Sequence, residues 1–146
     1  MMIIRQATKF EAPQLSILSN ECGSDCWSES SFLSEFEHDS IILCCEYEGK
    51  LIGFSVVSVS FDEGYLHLIA VDSAHRQQGI ATKLLKECEK GALSREVSKI
   101  VLDVRVSNNS AISLYEKFQY KTLCTRKNFY SNPKEDSFTM VKELEI

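Results

Sequence analysis

The stretch from Leu66 to Ala92 constrains the fold more than any other part of this sequence. A short apolar run, Leu66 to Val71, is followed by a polar turn and by six residues, Arg76 to Ala81, that lead into an amphipathic pattern. From Ile80 onward, apolar residues recur at helical spacing and charged residues lie away from them. This order predicts a strand, a tight turn and a helix that packs on the sheet with its N-terminus at the end of the strand.

Successive residues of a strand point to opposite faces of a sheet. Both faces of the predicted strand carry apolar side chains, which indicates a position inside the sheet with cover on both sides. Regular alternation would place Tyr65, His67, Ile69 and Val71 on one face, and Leu66, Leu68 and Ala70 on the other.

The start of the predicted helix is suited to bind an anion. Residues Gln77 to Ala81 would supply backbone N–H groups that lack partners inside the helix, and the helix dipole adds about half a positive charge there. A diphosphate fits such a site. Gly79 would let the backbone come close to the ligand, and Ala81 is small where the first turn would face it. The alternative is that Gly79 only ends a turn before an ordinary surface helix.

The remaining sequence carries further helical and strand patterns with no repeat or linker between them, so residues 1–146 are expected to form a single domain. Helices are predicted to start near Lys9 and Trp27, with a break at Gly23-Ser24-Asp25 between them. The other predicted elements are strands at 41–48, 51–60, 100–106, 120–127 and 137–144, and a helix at 110–118. The order of elements indicates a mixed sheet, antiparallel at first and parallel where the long helix crosses over.

Composition limits the classes of protein to which the chain can belong. It has 146 residues, of which 44% are hydrophobic, and no apolar stretch approaches the ~20 residues needed to cross a bilayer. We therefore expect a soluble, cytoplasmic protein without a membrane partner. A formal charge of -5 with no basic stripe argues against nucleic-acid binding. The six cysteines lack the paired spacing of a zinc site, so no metal is expected.

The hexapeptide Arg76-Gln77-Gln78-Gly79-Ile80-Ala81 matches the Arg/Gln-x-x-Gly-x-Gly/Ala signature of the GNAT N-acetyltransferases, and it follows an Ile-Ala-Val-Asp strand as it does in that family. Four further segments, 102–108, 111–116, 126–130 and 132–136, resemble the RimI-type branch. Members of that branch acetylate the N-terminal alanine of a small-subunit ribosomal protein. The resemblance covers nearly the whole chain.

The resemblance implies the GNAT fold, an α/β fold whose mixed, mostly antiparallel sheet has a central parallel strand pair that splays apart and helices on both faces. It also implies acetyl-CoA as the cosubstrate, with the pantetheine arm in the gap between the splayed strands. The positions that correspond to the family's cofactor-binding residues are Ile69, Ala70, Val71, Arg76, Gln77, Gln78, Gly79, Ile80, Ala81, Thr82 and Asn108.

Two residues are candidates for the acid–base chemistry of acetyl transfer, which needs a neutral amine and a proton for the departing thiolate. In RimI-type enzymes the position of Asp103 is usually a glutamate that acts as general base, and the position of Tyr115 supplies the general acid. Because aspartate is one methylene shorter than glutamate, either the amine lies deeper or a water carries its proton. The alternatives are a structural pair between Asp103 and Arg105, and a packing role for Tyr115.

Three other residues have a predicted role at the same site. Asn108 is expected to bond the pantetheine amides, to cap the following helix, or to do both. Trp27 and Tyr130 resemble positions that line the peptide side of the RimI-type site, although for Trp27 a place in the core is an equal alternative.

These observations predict an acetyl-CoA-dependent N-acetyltransferase that acts by direct transfer on a protein N-terminal amine, in particular the N-terminal alanine of a small-subunit ribosomal protein. The enzyme is expected to be a monomer or a weak homodimer. Two alternatives stay open: an acetyltransferase of a small-molecule amine such as a polyamine or an amino acid, and a non-catalytic acyl-CoA-binding module.

Overall fold

The computed structural model describes residues 1–22 and 25–145 of the chain. The strands are β1 (Met2–Gln6), β2 (Ile41–Tyr47), β3 (Lys50–Ser60), β4 (Glu63–Val71), β5 (Lys99–Arg105), β6 (Lys121–Ser131) and β7 (Lys134–Glu143). The helices are α1 (Ala12–Glu21), α2 (Glu29–Glu37), α3 (Ile80–Ser94) and α4 (Asn109–Lys117), with short 3₁₀ turns at Lys9–Glu11 and Ser73–His75.

The strands of the described residues form one mixed sheet in the order β1-β2-β3-β4-β5-β7-β6. Strands β4 and β5 are parallel, because α3 carries the chain from the end of β4 back to the start of β5. The other neighbouring strands pair antiparallel. The predicted mixed, mostly antiparallel sheet is therefore confirmed.

Two hydrophobic clusters hold helices against opposite faces of this sheet. On one face, α3 buries Ile80 and Leu84 and α4 buries Tyr115. On the other face, α1 buries Leu15 and α2 buries Phe32. Burial of each large apolar side chain contributes roughly 1.5–3 kcal/mol, so these clusters hold the helix ends in fixed positions relative to the strands. Helices on both faces complete the predicted fold class.

The bounds of the elements agree with the sequence pattern best at α3, which begins at Ile80 as predicted. They agree least at β6, which continues to Ser131 although the pattern predicted an end near Lys127. A shift of register between Arg126 and Tyr130 lets this exposed edge strand resume its pairing with β7. Of the predicted break at Gly23-Ser24-Asp25, Gly23 and Ser24 lie outside the described residues, and Asp25 lies between α1 and α2. None of the helices in the described ranges has the length and apolar character to span a membrane.

A β-bulge at His67 changes the side-chain pattern of β4. Consecutive residues of β3 pair with Leu66 and Leu68, which leaves His67 as the extra residue. An extra residue reverses the alternation, so the predicted regular alternation as far as Val71 is wrong. Leu66, Ile69 and Val71 pack with the α3-side cluster, and Leu68 and Ala70 pack with the cluster below α1 and α2.

The parallel pairing of β4 and β5 covers only the first part of both strands. Within the described residues it ends at Leu66 and Leu102. Beyond this point β4 still pairs with β3 as far as Val71, and β5 still pairs with β7 as far as Arg105. The two strands therefore separate while each stays fixed to its outer neighbour, which is the predicted splay. The facing edges carry backbone N–H and C=O groups that do not bond to each other.

Candidate active site

A cavity of about 530 Å³ lies where the end of β4 meets the start of α3 and one side of α4. All the predicted cofactor-binding residues except Gln78 line it: Ile69, Ala70, Val71, Arg76, Gln77, Gly79, Ile80, Ala81, Thr82 and Asn108. Tyr115 also lines this cavity, whereas Asp103 lies outside its wall. The Gln78 side chain is exposed to solvent.

The start of α3 makes one end of the cavity electropositive. The bond from Lys83 N to Gly79 O, at 3.0 Å, closes the first turn of the helix. The N–H groups of that turn have no acceptor inside the helix, and the dipole adds about half a positive charge. Gly79 has a φ of +77°, and a Cβ built on it would meet no described atom within 4 Å. The space in front of this turn is therefore open to a ligand.

Several residues that line the cavity were missed by the sequence analysis: Cys22, His75, Ser110, Ala111 and Leu114. Of those on α4, Ala111 could have been found, because it lies three residues after Asn108 and four before Tyr115, on the same side of the helix. Cys22 lies at the end of α1, far along the chain, and its Sγ lies 3.5 Å from the carbonyl oxygen of Val71. No local pattern indicates such a contact.

Asn108 is the N-cap of α4. Its Oδ1 accepts a hydrogen bond from the backbone N of Ala111 at 3.2 Å. Capping of this kind leaves the amide group of Asn108 at the rim of the cavity that it lines. The predicted capping role of Asn108 is therefore present.

Tyr115 lies on the side of α4 that packs into the α3-side cluster. Its side chain is buried, and its ring centroid is 5.8 Å from that of Tyr120. Burial raises the pKa of Tyr115 above its ordinary value. The phenol therefore keeps its proton at neutral pH.

The Asp103 carboxylate lies in a hydrogen-bond network just beyond the last residue pair between β4 and β5. Its Oδ2 accepts from the Tyr65 hydroxyl at 2.5 Å, and its Oδ1 accepts from Thr139 at 2.6 Å and from Ser137 at 3.1 Å. Arg126 Nε lies 3.6 Å from the same Oδ1, and the Asp103 side chain is only 2% exposed. The carboxylate is therefore fixed in position and shielded from direct contact with a large ligand.

Tyr65 is the residue of β4 that donates a hydrogen bond to this shielded carboxylate, next to the last residue pair between β4 and β5. It is half-buried, and its ring centroid is 4.8 Å from that of His67 at the bulge. Burial and the bond to Asp103 raise the pKa of Tyr65. The sequence analysis assigned no role to Tyr65, because the contact depends on the parallel register that sets Tyr65 beside Val101 and so on the same face as Asp103.

The predicted alternative of a structural pair between Asp103 and Arg105 is wrong. Arg105 instead donates to Asp25 and Glu135, and the arginine next to Asp103 is Arg126 of β6. Residues two apart on a strand share a face. Their side chains can still bond to different residues of the neighbouring strands and loops, as Asp103 and Arg105 do. Those partners are distant in the sequence and have no local signal.

Trp27 and Tyr130 lie on the side of the sheet that Asp103 faces. The Trp27 ring contacts Phe32 and His67 at centroid distances of 5.3 and 5.2 Å, which agrees with a packing role, although the side chain is not fully buried. Burial raises the pKa of Tyr130 to about 12, and Arg105 stacks over its ring at 4.3 Å. Both aromatic rings are therefore held by neighbouring side chains.

The described part of the chain contains no group of three or more His, Cys, Asp or Glu side chains that could hold a metal ion. The polar groups of the site include the Tyr65 and Thr139 hydroxyls, the Asp103 carboxylate and the backbone N–H groups at the start of α3. Such groups bind a phosphorylated ligand and move protons.

Comparison with known proteins agrees with this geometry. The profile of the Acetyltransferase (GNAT) family matches residues 6–120. The ribosomal protein bS18-alanine N-acetyltransferase of Escherichia coli strain K12 is 33% identical over 122 residues, which are 82% of this chain and 82% of that protein. The enzyme of the same name from Haemophilus ducreyi is 32% identical over 107 residues, 73% of this chain and 74% of that protein.

Solved structures show the same arrangement. The crystal structure of the ribosomal-protein-S18-alanine N-acetyltransferase from Escherichia coli has a TM-score of 0.93 and 28% identity, and covers 100% of this chain and 96% of that chain. Ard1 from Thermoplasma volcanium has a TM-score of 0.92 at 20% identity, with 99% of both chains covered, and shows the fold alone. The family profile, the sequence relatives and the cavity at the start of α3 agree: the chain belongs to the GNAT acetyltransferase family.

Proposed function

We propose that residues 1–146 form one acetyltransferase domain that moves the acetyl group of acetyl-CoA to a protein N-terminal amine, with N-terminal alanine as the favoured acceptor. The observation that carries the proposal is the gap between β4 and β5. Tyr115 faces the cavity on the α3 side of this gap, and Asp103 faces the opposite side. The names of the relatives, which act on the alanine of bS18, support the choice of acceptor.

Two parts of the cavity would hold two parts of one acetyl-CoA molecule. The N–H groups from Gln77 to Thr82 at the start of α3 would hold the diphosphate. The edge of β4 from Ile69 to Val71 no longer pairs with β5. The Val71 carbonyl already accepts from Arg76 Nε at 3.2 Å, so the other backbone groups of this edge would bond the pantetheine amides as an added strand does. Asn108 would bond the same arm from the opposite wall, while Arg76 and Gln78 would stay near the solvent end.

Asp103 would act as the base through the hydroxyl of Tyr65. The amine loses a proton to the Tyr65 oxygen while the proton of that hydroxyl passes to Asp103 Oδ2, which lies 2.5 Å away. The hydroxyl supplies the reach that aspartate lacks relative to glutamate, so neither a deeper amine nor a separate water is required. Thr139 and Arg126 hold the other carboxylate oxygen in place.

Tyr115 would act as the acid. As the amine nitrogen bonds to the acetyl carbon and the carbon–sulfur bond breaks, Tyr115 gives its phenol proton to the thiolate of CoA. Trp27 and Tyr130 would form the two sides of the cleft through which the acceptor peptide enters. No protein-bound acetyl group is needed in this direct transfer.

A single-turnover assay with saturating acetyl-CoA tests the proposed function. We expect acetyl transfer to a peptide that begins with alanine, and none to the same peptide with its N-terminus blocked. Faster transfer to a polyamine than to the peptide would identify a small-molecule acetyltransferase. Binding of CoA without transfer to any amine would identify a binding module.

Gly79→Val is expected to weaken CoA binding by about tenfold or more, which corresponds to a loss of about 1.4 kcal/mol. A branched side chain would fill the open space in front of the first turn and would strain the left-handed backbone. Isothermal titration calorimetry with CoA measures the change.

Gly49→Val is the matched control, because Gly49 has a φ of +76° and equally open surroundings, in the turn between β2 and β3. It should lower stability by a similar amount and leave CoA affinity unchanged. Equal CoA affinity in Gly79→Val and the parent protein would exclude the start of α3 as the diphosphate site.

A further inference from the structure

Arg105 is almost enclosed by protein although it carries a charge, with a side chain that is 10% exposed. Its Nε and Nη2 donate to the two carboxylate oxygens of Asp25 at 2.9 and 2.8 Å. Its Nη1 donates to the Pro133 carbonyl at 2.7 Å and to Glu135 at 3.2 Å, and Nη2 also reaches the Asn132 carbonyl at 3.4 Å. All five N–H donors of the guanidinium therefore have acceptors.

These acceptors belong to two segments that are far apart in the sequence. Asp25 lies two residues before Trp27, in the connection that leads into α2. Asn132 and Pro133 form the turn between β6 and β7. The guanidinium also stacks over the ring of Tyr130, at 4.3 Å from its centroid. One side chain at the end of β5 thus contacts both segments that carry the proposed peptide-binding aromatics.

Each segment has its own attachment to the rest of the molecule. The backbone N of Trp27 donates to Ser19 of α1 at 2.9 Å. On the other side, Glu135 accepts a bond from the Ser107 backbone N at 2.8 Å. Arg105 joins the two sides to each other, and its planar fork makes paired bonds of fixed direction that lysine could not reproduce.

We propose that Arg105 is a positioning residue that sets the width of the acceptor cleft by tying the Asp25 segment to the turn between β6 and β7. This inference rests on the proposed function, because it assigns the acceptor to the space between these two segments. Arg105 itself does not contact the reacting atoms. Loss of the tie changes how well the peptide is held and leaves the acetyl-CoA cavity intact, since that cavity lies on the other side of the sheet gap.

Asp25→Asn tests the inference, because it weakens the paired bonds at a partly exposed residue and keeps the size of the side chain. We expect the KM for a peptide beginning with alanine to rise by about tenfold, the size of effect that loss of a charged hydrogen bond produces. The kcat and the affinity for CoA should stay within a factor of about two, since neither depends on the width of the cleft.

Glu46→Gln is the matched control. Arg5 bonds two carboxylates, Glu11 and Glu46, much as Arg105 bonds Asp25 and Glu135, but it joins β1 to β2 away from the site. If Arg105 had a purely structural role, Glu46→Gln and Asp25→Asn would change the peptide KM equally whenever they lower the stability of the protein equally. A rise in peptide KM that is specific to Asp25→Asn supports the positioning role.

Hydrogen exchange by mass spectrometry gives a readout that needs no acetyl transfer. In Asp25→Asn we expect faster exchange in peptides that cover the turn between β6 and β7, although the substitution lies elsewhere in the chain. Unchanged exchange there, or an unchanged peptide KM in an active protein, overturns the inference. A parent protein that acetylates no peptide would instead reject the proposed function, which separates the two failures.

Discussion

Asp103→Asn is expected to lower kcat/KM for a peptide that begins with alanine by roughly 100- to 10,000-fold, the contribution of a positioned base. An amide in place of the carboxylate cannot accept the proton that leaves through Tyr65. The affinity for CoA should not change, because Asp103 does not line the cavity in which CoA is proposed to bind. Steady-state kinetics with the peptide, together with calorimetry for CoA, separate the two effects.

Tyr65→Phe shows whether the two residues act in one path. It removes the hydroxyl that donates to Asp103 at 2.5 Å and keeps the ring in place. If the proton passes through both groups, the double variant should lose no more activity than the more damaging single variant. Effects that multiply would mean that Tyr65 and Asp103 act independently, and the route through the hydroxyl would be rejected.

Asp39→Asn is the control for Asp103→Asn. Asp39 is 95% exposed and pairs with Arg95 on the surface. It should leave kcat/KM unchanged. Thermal unfolding of both variants shows whether the loss of the buried carboxylate beside Arg126 also lowers stability. The activities are compared at a temperature well below the lower of the two unfolding midpoints.

Tyr115→Phe is expected to lower kcat by roughly 100- to 10,000-fold with little change in the affinity for CoA. The thiolate would then leave without a proton from the protein. Because burial raises the pKa of Tyr115, its proton-donating form extends to higher pH than for an ordinary tyrosine. Activity should therefore not decline through loss of this proton up to about pH 10, the ordinary pKa of tyrosine.

Tyr120→Phe is the matched control for Tyr115→Phe. Tyr120 is also buried, its ring packs next to Tyr115, and its hydroxyl donates to Glu89 at 2.9 Å. It does not line the cavity, so its loss should affect stability and leave kcat unchanged. An equal loss of kcat in the two variants, or none in Tyr115→Phe, would make Tyr115 a packing residue.

The part of the fold that the sequence predicted depends on local periodicity. The stripe of α3 and its start at Ile80 follow from spacing within a few turns, and the structure confirms both. The resemblance supplied the splay of the central strands. The bulge at His67 was not predictable, because it is visible only as a shift in pairing between β3 and β4. Regular alternation assigned Ile69 and Val71 to the same face as His67, whereas they pack with Leu66.

The candidate site likewise has one part that could be predicted from the local sequence and one part that could not. Residues at the start of α3 form one continuous segment, so a motif was sufficient to predict that most of them lie at the same cavity. The network around Asp103 joins β4, β5, β6 and β7, and its members Tyr65, Arg126, Ser137 and Thr139 are separated from it by 23 or more positions. Only the strand order brings them together. The same holds for Arg105, whose partner Asp25 lies 80 residues away.

The location of the acetyl group on a product peptide tests the central proposal most directly. The substrate is a peptide that begins with alanine and contains one internal lysine, so that both kinds of amine compete in one molecule. After reaction with isotope-labelled acetyl-CoA, tandem mass spectrometry assigns the label to the first residue or to the lysine. We predict label on the alanine amine alone, and its loss in Asp103→Asn. Label on the lysine side chain would contradict N-terminal acetyl transfer by this protein. So would a peptide that stays unlabelled after a reaction time long enough for many turnovers.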